Sequence, residues 1–148
     1  MTRHHLPGST IEYCTDTSRA IASVVFGGVT SKYPNVRFIF SHGGGTMPFL
    51  LDRFRNLAGR KAHKASFPKG VEPHLKKLYY EVAQAVHPGA LDALMRIAPL
   101  DHVLFGTDFP HFKARDTGAK LAAYDGFGAK ELAAITRGNA LKLFPRFS

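Results

Sequence analysis

Apolar residues fall along this chain in two patterns, a helical spacing and short continuous runs. Ile21, Val24, Val25 and Val29 follow an i, i+3, i+4 spacing and predict a helix, with Asp16-Thr17-Ser18 as its cap. Gly27 and Gly28 weaken that helix locally, and Tyr33-Pro34 ends it. The first fifteen residues carry turn formers without periodicity, so residues 1–15 are expected to be a loop and residues 16–148 the folded domain. Val36-Arg37-Phe38-Ile39-Phe40 is a short β-type run of buried character that stops at Ser41-His42-Gly43-Gly44-Gly45. Thr46 then caps a helix with Pro48 in its first turn and Phe49, Leu50, Phe54 and Leu57 as its apolar face. Residues 59–72, with Gly59, Pro68 and Gly70, read as a basic loop. A second strand is predicted at Leu78-Tyr79-Tyr80-Glu81-Val82, and a helix with Leu91, Leu94, Met95 and Ile97 follows His87-Pro88-Gly89. A third strand, His102-Val103-Leu104-Phe105, runs into Gly106-Thr107-Asp108-Phe109-Pro110, and helices are expected over residues 120–124, 130–135 and 139–144. Strands alternating with helices imply right-handed crossovers and a parallel sheet. The polar, glycine-rich breaks follow the strands, at the ends where parallel α/β folds carry their chemistry.

Composition changes this picture little. The chain has 148 residues, 45% apolar and 21% charged, as expected of one ordinary globular domain. No apolar run approaches the length of a membrane span, and the N-terminus has no apolar leader segment. Cys14 is the single cysteine, so an internal disulfide is excluded and a cytoplasmic location is expected. The net charge of +9 requires that anionic partners be weighed. Arg53, Arg55, Arg60, Lys61, Lys64, Lys69, Lys76 and Lys77 account for many of the cations. Their spacing matches no nucleic-acid reader, so a solvated basic surface is the favoured reading and nucleic acid is not.

The strand ends hold the candidate chemistry. His42 leaves the first strand ahead of three glycines, where the backbone turns sharply and a ligand can approach. A histidine there can bind a metal or move a proton, or it can be a turn residue bonded to backbone. Asp108 follows the third strand; it can hold a metal or accept a proton, or cap a turn. Glu81 ends the second strand and can orient a neighbour, face the interior or form a surface ion pair. His111 falls three residues after Asp108 and can line the same mouth, whereas His63, His74, His87 and His102 read as surface or turn residues. The adjacent pair His4-His5 sits in a terminus without periodicity. There is no Gly-x-Ser-x-Gly elbow, P-loop or Gly-x-Gly-x-x-Gly fingerprint.

Tyr33-Pro34-Asn35-Val36-Arg37-Phe38-Ile39-Phe40-Ser41-His42-Gly43-Gly44-Gly45, with Pro48 and Asp52-Arg53-Phe54, resembles the sixth-strand signature of the amidohydrolase-related family, aminocarboxymuconate-semialdehyde decarboxylase type. Leu104-Phe105-Gly106-Thr107-Asp108-Phe109-Pro110 resembles its eighth-strand signature, and Gly138-Asn139-Ala140-Leu141-Lys142-Leu143-Phe144 its closing helix. Leu78-Tyr79-Tyr80-Glu81 resembles the seventh strand, where aspartate is more usual at the position of Glu81. The resemblance implies a partial (β/α)8 TIM barrel of the metal-dependent hydrolase type, roughly strands six to eight with their helices. It implies Asp108 as a metal ligand, His42 as the acid/base beside that metal, and Arg53 as an arginine that reaches a substrate carboxylate across a subunit interface. The implied activity is a metal-dependent decarboxylase or hydrolase acting on a small carboxylic acid, with a divalent metal, zinc, as cofactor. The family draws a His-x-His pair and a further histidine from earlier strands, which this chain does not contain. The alternative is therefore a non-catalytic fragment or interaction module. In either case homo-oligomerisation, or another partner, is expected to cover the open sheet edges.

Overall fold

The computed structural model describes residues 5–147. Its first helix, α1 (Gly8–Phe26), begins directly after Pro7. The loop expected over residues 1–15 is thus corrected over residues 8–15, which are helical. Asp16, Thr17 and Ser18 lie inside the helix instead of capping it. The hydroxyls of Thr15 and Thr17 donate back to the carbonyls of Ile11 and Tyr13, at 2.9 and 3.0 Å, and so do not compete with the helical backbone. The buried stripe runs through Ser18, Ile21 and Val25, and its polar member hides the period from a hydrophobicity reading. Gly27 and Gly28 end α1, and Val29 opens a separate short helix, α2 (Val29–Lys32).

The three expected strands form one parallel sheet in the order β1-β2-β3: β1 (Ile39–Phe40), β2 (Tyr79–Glu81) and β3 (Val103–Leu104). Ile39 pairs with Tyr79 and Phe40 with Tyr80, while Tyr80 pairs with Val103 and Glu81 with Leu104. Central β2 supplies Tyr80, which is fully buried among Ile21, Leu75, Leu91, Leu94 and Ile135 of the same core. Its hydroxyl donates to the Leu75 carbonyl at 3.0 Å, satisfying the one polar atom it carries inside, and burial pushes its pKa above the usual phenol value. β1 is not the buried-type strand expected. Val36 and Ile39 are 53% and 43% exposed, because no strand pairs with the outer side of β1 among the described residues.

The remaining helices are α3 (Leu51–Ala58), α4 (Glu72–Leu75), α5 (Pro88–Met95), α6 (Ala114–Ala122), α7 (Ala129–Ala133) and α8 (Asn139–Leu143), with a π turn, Ala134–Gly138, joining the last two. Phe54 is buried as expected, but Phe49 is 88% exposed. It belongs to a 3-10 turn, Met47–Leu50, ahead of α3, so it does not share the face of Phe54. Buried Asn139 donates to the carbonyls of Leu100 and Val103, both at 2.8 Å, and the Phe105 N–H donates to the Ile135 carbonyl at 3.1 Å. These bonds fasten the C-terminal helices to β3 and fix where its polar exit begins. Among the described residues no helix is long and apolar enough to cross a membrane.

Candidate functional site

Three strand exits meet in one cleft. His42 follows β1, Gln84 follows β2 and Asp108 follows β3, and all three line a cavity of about 980 Å³. Tyr13 and Cys14 of α1 wall it on one side, with His87, His111 and Phe112 elsewhere around it. Among the described residues, and apart from His5 near the chain start, these same three are the only non-glycine residues with positive φ: 56° at His42, 53° at Gln84 and 62° at Asp108. Left-handed backbone is uncommon for such side chains and is held only where the surrounding structure enforces it. Here it turns each side chain out of its strand line and toward the other two.

The contacts are direct. Gln84 Nε2 donates to Asp108 Oδ2 at 2.7 Å and lies 3.4 Å from His42 Nε2. His42 Nε2 is 3.8 Å from Asp108 Oδ2, and His42 Nδ1 is 4.0 Å from Glu81 Oε1. The side chain of His42 is 19% exposed and that of Asp108 34%, so the pair faces the cleft but is partly shielded from water.

Glu81 builds the turn that carries His42. Its Oε1 accepts the His42 backbone N–H and its Oε2 the Ala83 N–H, both at 2.7 Å. Of the possibilities open to Glu81, it orients a neighbour. Its room comes from Gly106, where a Cβ would lie 1.8 Å from Glu81 Oε2. The glycine turn is held from its other side by α1. Ser18 Oγ accepts the Thr46 N–H at 2.9 Å, and a Cβ on Gly45 would fall 2.1 Å from the Cys14 carbonyl oxygen. Helix α1 packs that closely only because position 45 is glycine.

Of the sequence candidates, His42, Asp108 and His111 come together at this cleft. His87, read as a turn residue, caps α5 by accepting the Ala90 N–H and also lines the cleft. His74 and His102 are not simple surface residues. The first bonds Thr30 Oγ1 at 2.9 Å, and the second stacks on Tyr79 with ring centroids 4.0 Å apart. His4 lies outside the described residues, and His5 is not among those lining the cleft. Arg53 is exposed on α3, outside the cleft lining, and forms no ion pair among the described residues. Its neighbour Asp52 pairs instead with Arg55 at 2.9 Å, and Arg55 also binds Glu72 at 2.6 Å. Those bonds raise the Arg55 pKa, and the guanidinium holds Glu72 below the usual carboxylate range. Gln84 is not among the sequence candidates. Its only signal is position: it sits in the polar break after the second strand, as His42 and Asp108 sit after the first and third.

By themselves these residues do not make a metal centre. A catalytic zinc takes three protein ligands and a water. The cleft lining holds three imidazoles, those of His42, His87 and His111, but a single carboxylate, that of Asp108, the Glu81 carboxylate being committed to backbone N–H groups. No group of three or more His, Cys, Asp or Glu side chains placed to hold a metal occurs among the described residues.

Comparison with known proteins places the chain in a family. The family model described as Amidohydrolase matches residues 6–146. A decarboxylase of Penicillium terrestre is 32% identical over 152 residues, covering 99% of this chain and 45% of that protein. The 6-methylsalicylic acid decarboxylase of Penicillium expansum is 31% identical over 147 residues, covering 95% of this chain and 44% of that protein. A 2-amino-3-carboxymuconate-6-semialdehyde decarboxylase of Caenorhabditis elegans is 27% identical over 131 residues, covering 87% and 33%. A solved amidohydrolase II structure superposes with a TM-score of 0.83 at 28% identity, over 93% of this chain and 44% of that one. The chain thus spans less than half the length of the relatives it matches.

Proposed function

The chain belongs to the amidohydrolase family, and on that premise we propose that its cleft is the proton-transfer part of a decarboxylase site for a small carboxylic acid. One observation carries the reading: His42 Nε2 and Asp108 Oδ2 lie 3.8 Å apart at the C-terminal end of a parallel sheet, in a cleft large enough for a small organic acid. In decarboxylation the bond from the substrate carbon to its carboxylate carbon breaks, carbon dioxide leaves, and the electron pair stays on the substrate. His42 then delivers the proton that forms the new C–H bond. Two side chains do not satisfy a divalent cation. In this reading Asp108 is one ligand of a zinc site whose other ligands come from outside the described residues, and no step is assigned to the metal. The names of relatives, decarboxylases of 6-methylsalicylic acid and of 2-amino-3-carboxymuconate-6-semialdehyde, support an acidic substrate, and we place the reaction in the cytoplasm.

Arg53 fits the same proposal as a carboxylate anchor. It is unpaired among the described residues and away from this chain's own cleft, so the site it serves is that of a second copy. A guanidinium fork grips a carboxylate with two parallel bonds that lysine cannot reproduce. Arg53→Lys in an assembled enzyme is therefore expected to raise KM for the acid more than for a neutral analogue.

The test is carbon dioxide release from 6-methylsalicylic acid and related small acids. It compares the chain alone with the chain co-expressed with the N-terminal part of a relative. His42→Asn is expected to lower kcat by about 100-fold or more in whichever preparation is active. Unchanged turnover in that variant would return His42 to the role of a turn residue. A non-catalytic interaction module is the second reading, favoured by the two sheet edges left unpaired among the described residues. Folded, assembled protein releasing no carbon dioxide from any acid would favour it.

A further inference from the structure

Gln84 sits between the two groups that the proposed chemistry uses, and its amide has two hydrogens for two acceptors. One goes to Asp108 Oδ2 at 2.7 Å. The other faces His42 Nε2 at the longer distance of 3.4 Å. The amide's orientation is set by the carboxylate, because turning it over would put its oxygen against Asp108, acceptor to acceptor. With Nε2 of Gln84 on that side, the histidine atom it faces must supply a lone pair. The proton of neutral His42 then resides on Nδ1, the nitrogen that lies 4.0 Å from Glu81 Oε1. We infer that Gln84 is a positioning residue that keeps His42 Nε2 bare toward the cleft and wedges it apart from Asp108. Without the wedge, the 3.8 Å between His42 Nε2 and Asp108 Oδ2 is short enough for the ring to turn its N–H onto the carboxylate. The cleft-side nitrogen would then be a donor and unable to take up a proton. The backbone geometry belongs to the same device: φ of 53° at Gln84 carries the amide out of the line of β2 and in between its two partners.

The functional consequence rests on His42 being the proton-transfer group; the tautomer itself does not. The experiment is therefore spectroscopic. The full chain is labelled with 15N-histidine and held at alkaline pH, about two units above the ordinary imidazole pKa. Long-range 1H–15N correlations then show which nitrogen of each ring carries the proton, and His42 is assigned by the signals lost in His42→Asn. The native chain is expected to show His42 protonated on Nδ1. Gln84→Leu, which keeps bulk but removes both hydrogens, is expected to shift the proton to Nε2. Gln84→Glu, which puts an acceptor in the same place, is expected to shift it further. Native His42 protonated on Nε2 would overturn the inference, whether or not the variants fold. So would an unchanged tautomer in whichever variant does fold. The expected tautomer pattern in a protein that releases no carbon dioxide counts against the decarboxylase reading and supports the role of Gln84.

Discussion

Glu81 and Gly106 illustrate how single residues shape the cleft without facing a ligand. The Glu81 carboxylate accepts two backbone N–H groups, and one of them is that of His42. A half-buried N–H left unpaired costs about 1–3 kcal/mol, so Glu81→Ala is expected to destabilise the chain by at least that much. Gly106→Ala is expected to cost a similar 1–3 kcal/mol through overpacking, roughly, because its Cβ would fall 1.8 Å from Glu81 Oε2. The two effects share one cause and should not add: in the Glu81→Ala background, Gly106→Ala is expected to cost little. Urea titration of the four proteins measures this coupling, and additive losses would show that the carboxylate is not what Gly106 accommodates.

At the scale of elements, α4 is fastened to its neighbours by charged and titratable groups. Glu72 reaches Arg55 of α3, and His74 bonds Thr30 of α2 while its ring meets the edge of Phe67. Burial, and then the charge of Lys77, hold the His74 pKa below its ordinary 6.5. The unfolded chain therefore binds a proton at this site before the folded chain does. Stability from neutral His74 is complete above about pH 6.5 and declines as the pH falls through that value toward the lower folded pKa. Glu72 acts in the same sense at lower pH, since its folded pKa is also depressed. The native chain is expected to lose denaturant resistance more steeply than His74→Gln between about pH 7.5 and 5.5. Parallel curves for the two proteins would remove His74 from the account.

On the scale of the whole molecule, the sheet is the feature that is left open. Closing a barrel takes about eight strands with consistent tilt, and the three parallel strands leave an edge on each side unpaired among the described residues. The β1 edge carries Val36 and Ile39, 53% and 43% exposed, and such an edge invites pairing with another chain. The chain alone is expected to sediment as species larger than a monomer at concentrations on the order of tens of micromolar. Ile39→Lys, which places a charge on that edge, is expected to raise the monomer fraction. A compact monomer for the native chain at that concentration would show that the edges need no cover.

The order of the strands, the parallel sheet and the two strand-exit residues that meet in the cleft, His42 and Asp108, are legible in the sequence because their causes are local. Short continuous apolar runs make β1, β2 and β3, and the glycines after His42 and the turn formers around Asp108 mark where those strands give way to polar exits. The family membership is legible for the same reason, in the residues at those exits. The start of α1 is not, since its stripe begins with Ser18, a polar residue buried only because Thr46 answers it across 28 positions of chain. Gln84 is not legible either, and the sequence leaves the role of Glu81 open among three, for glutamine and glutamate near strand ends are ordinary surface residues until another strand comes alongside. Only the pairing of β2 with both neighbours brings Gln84 between His42 and Asp108 and sets Glu81 against Gly106. Residue type and spacing determine which groups can do chemistry; the distances at which they meet are set by parallel strand pairing and by left-handed backbone at three exits, and neither is encoded within any single segment of the chain.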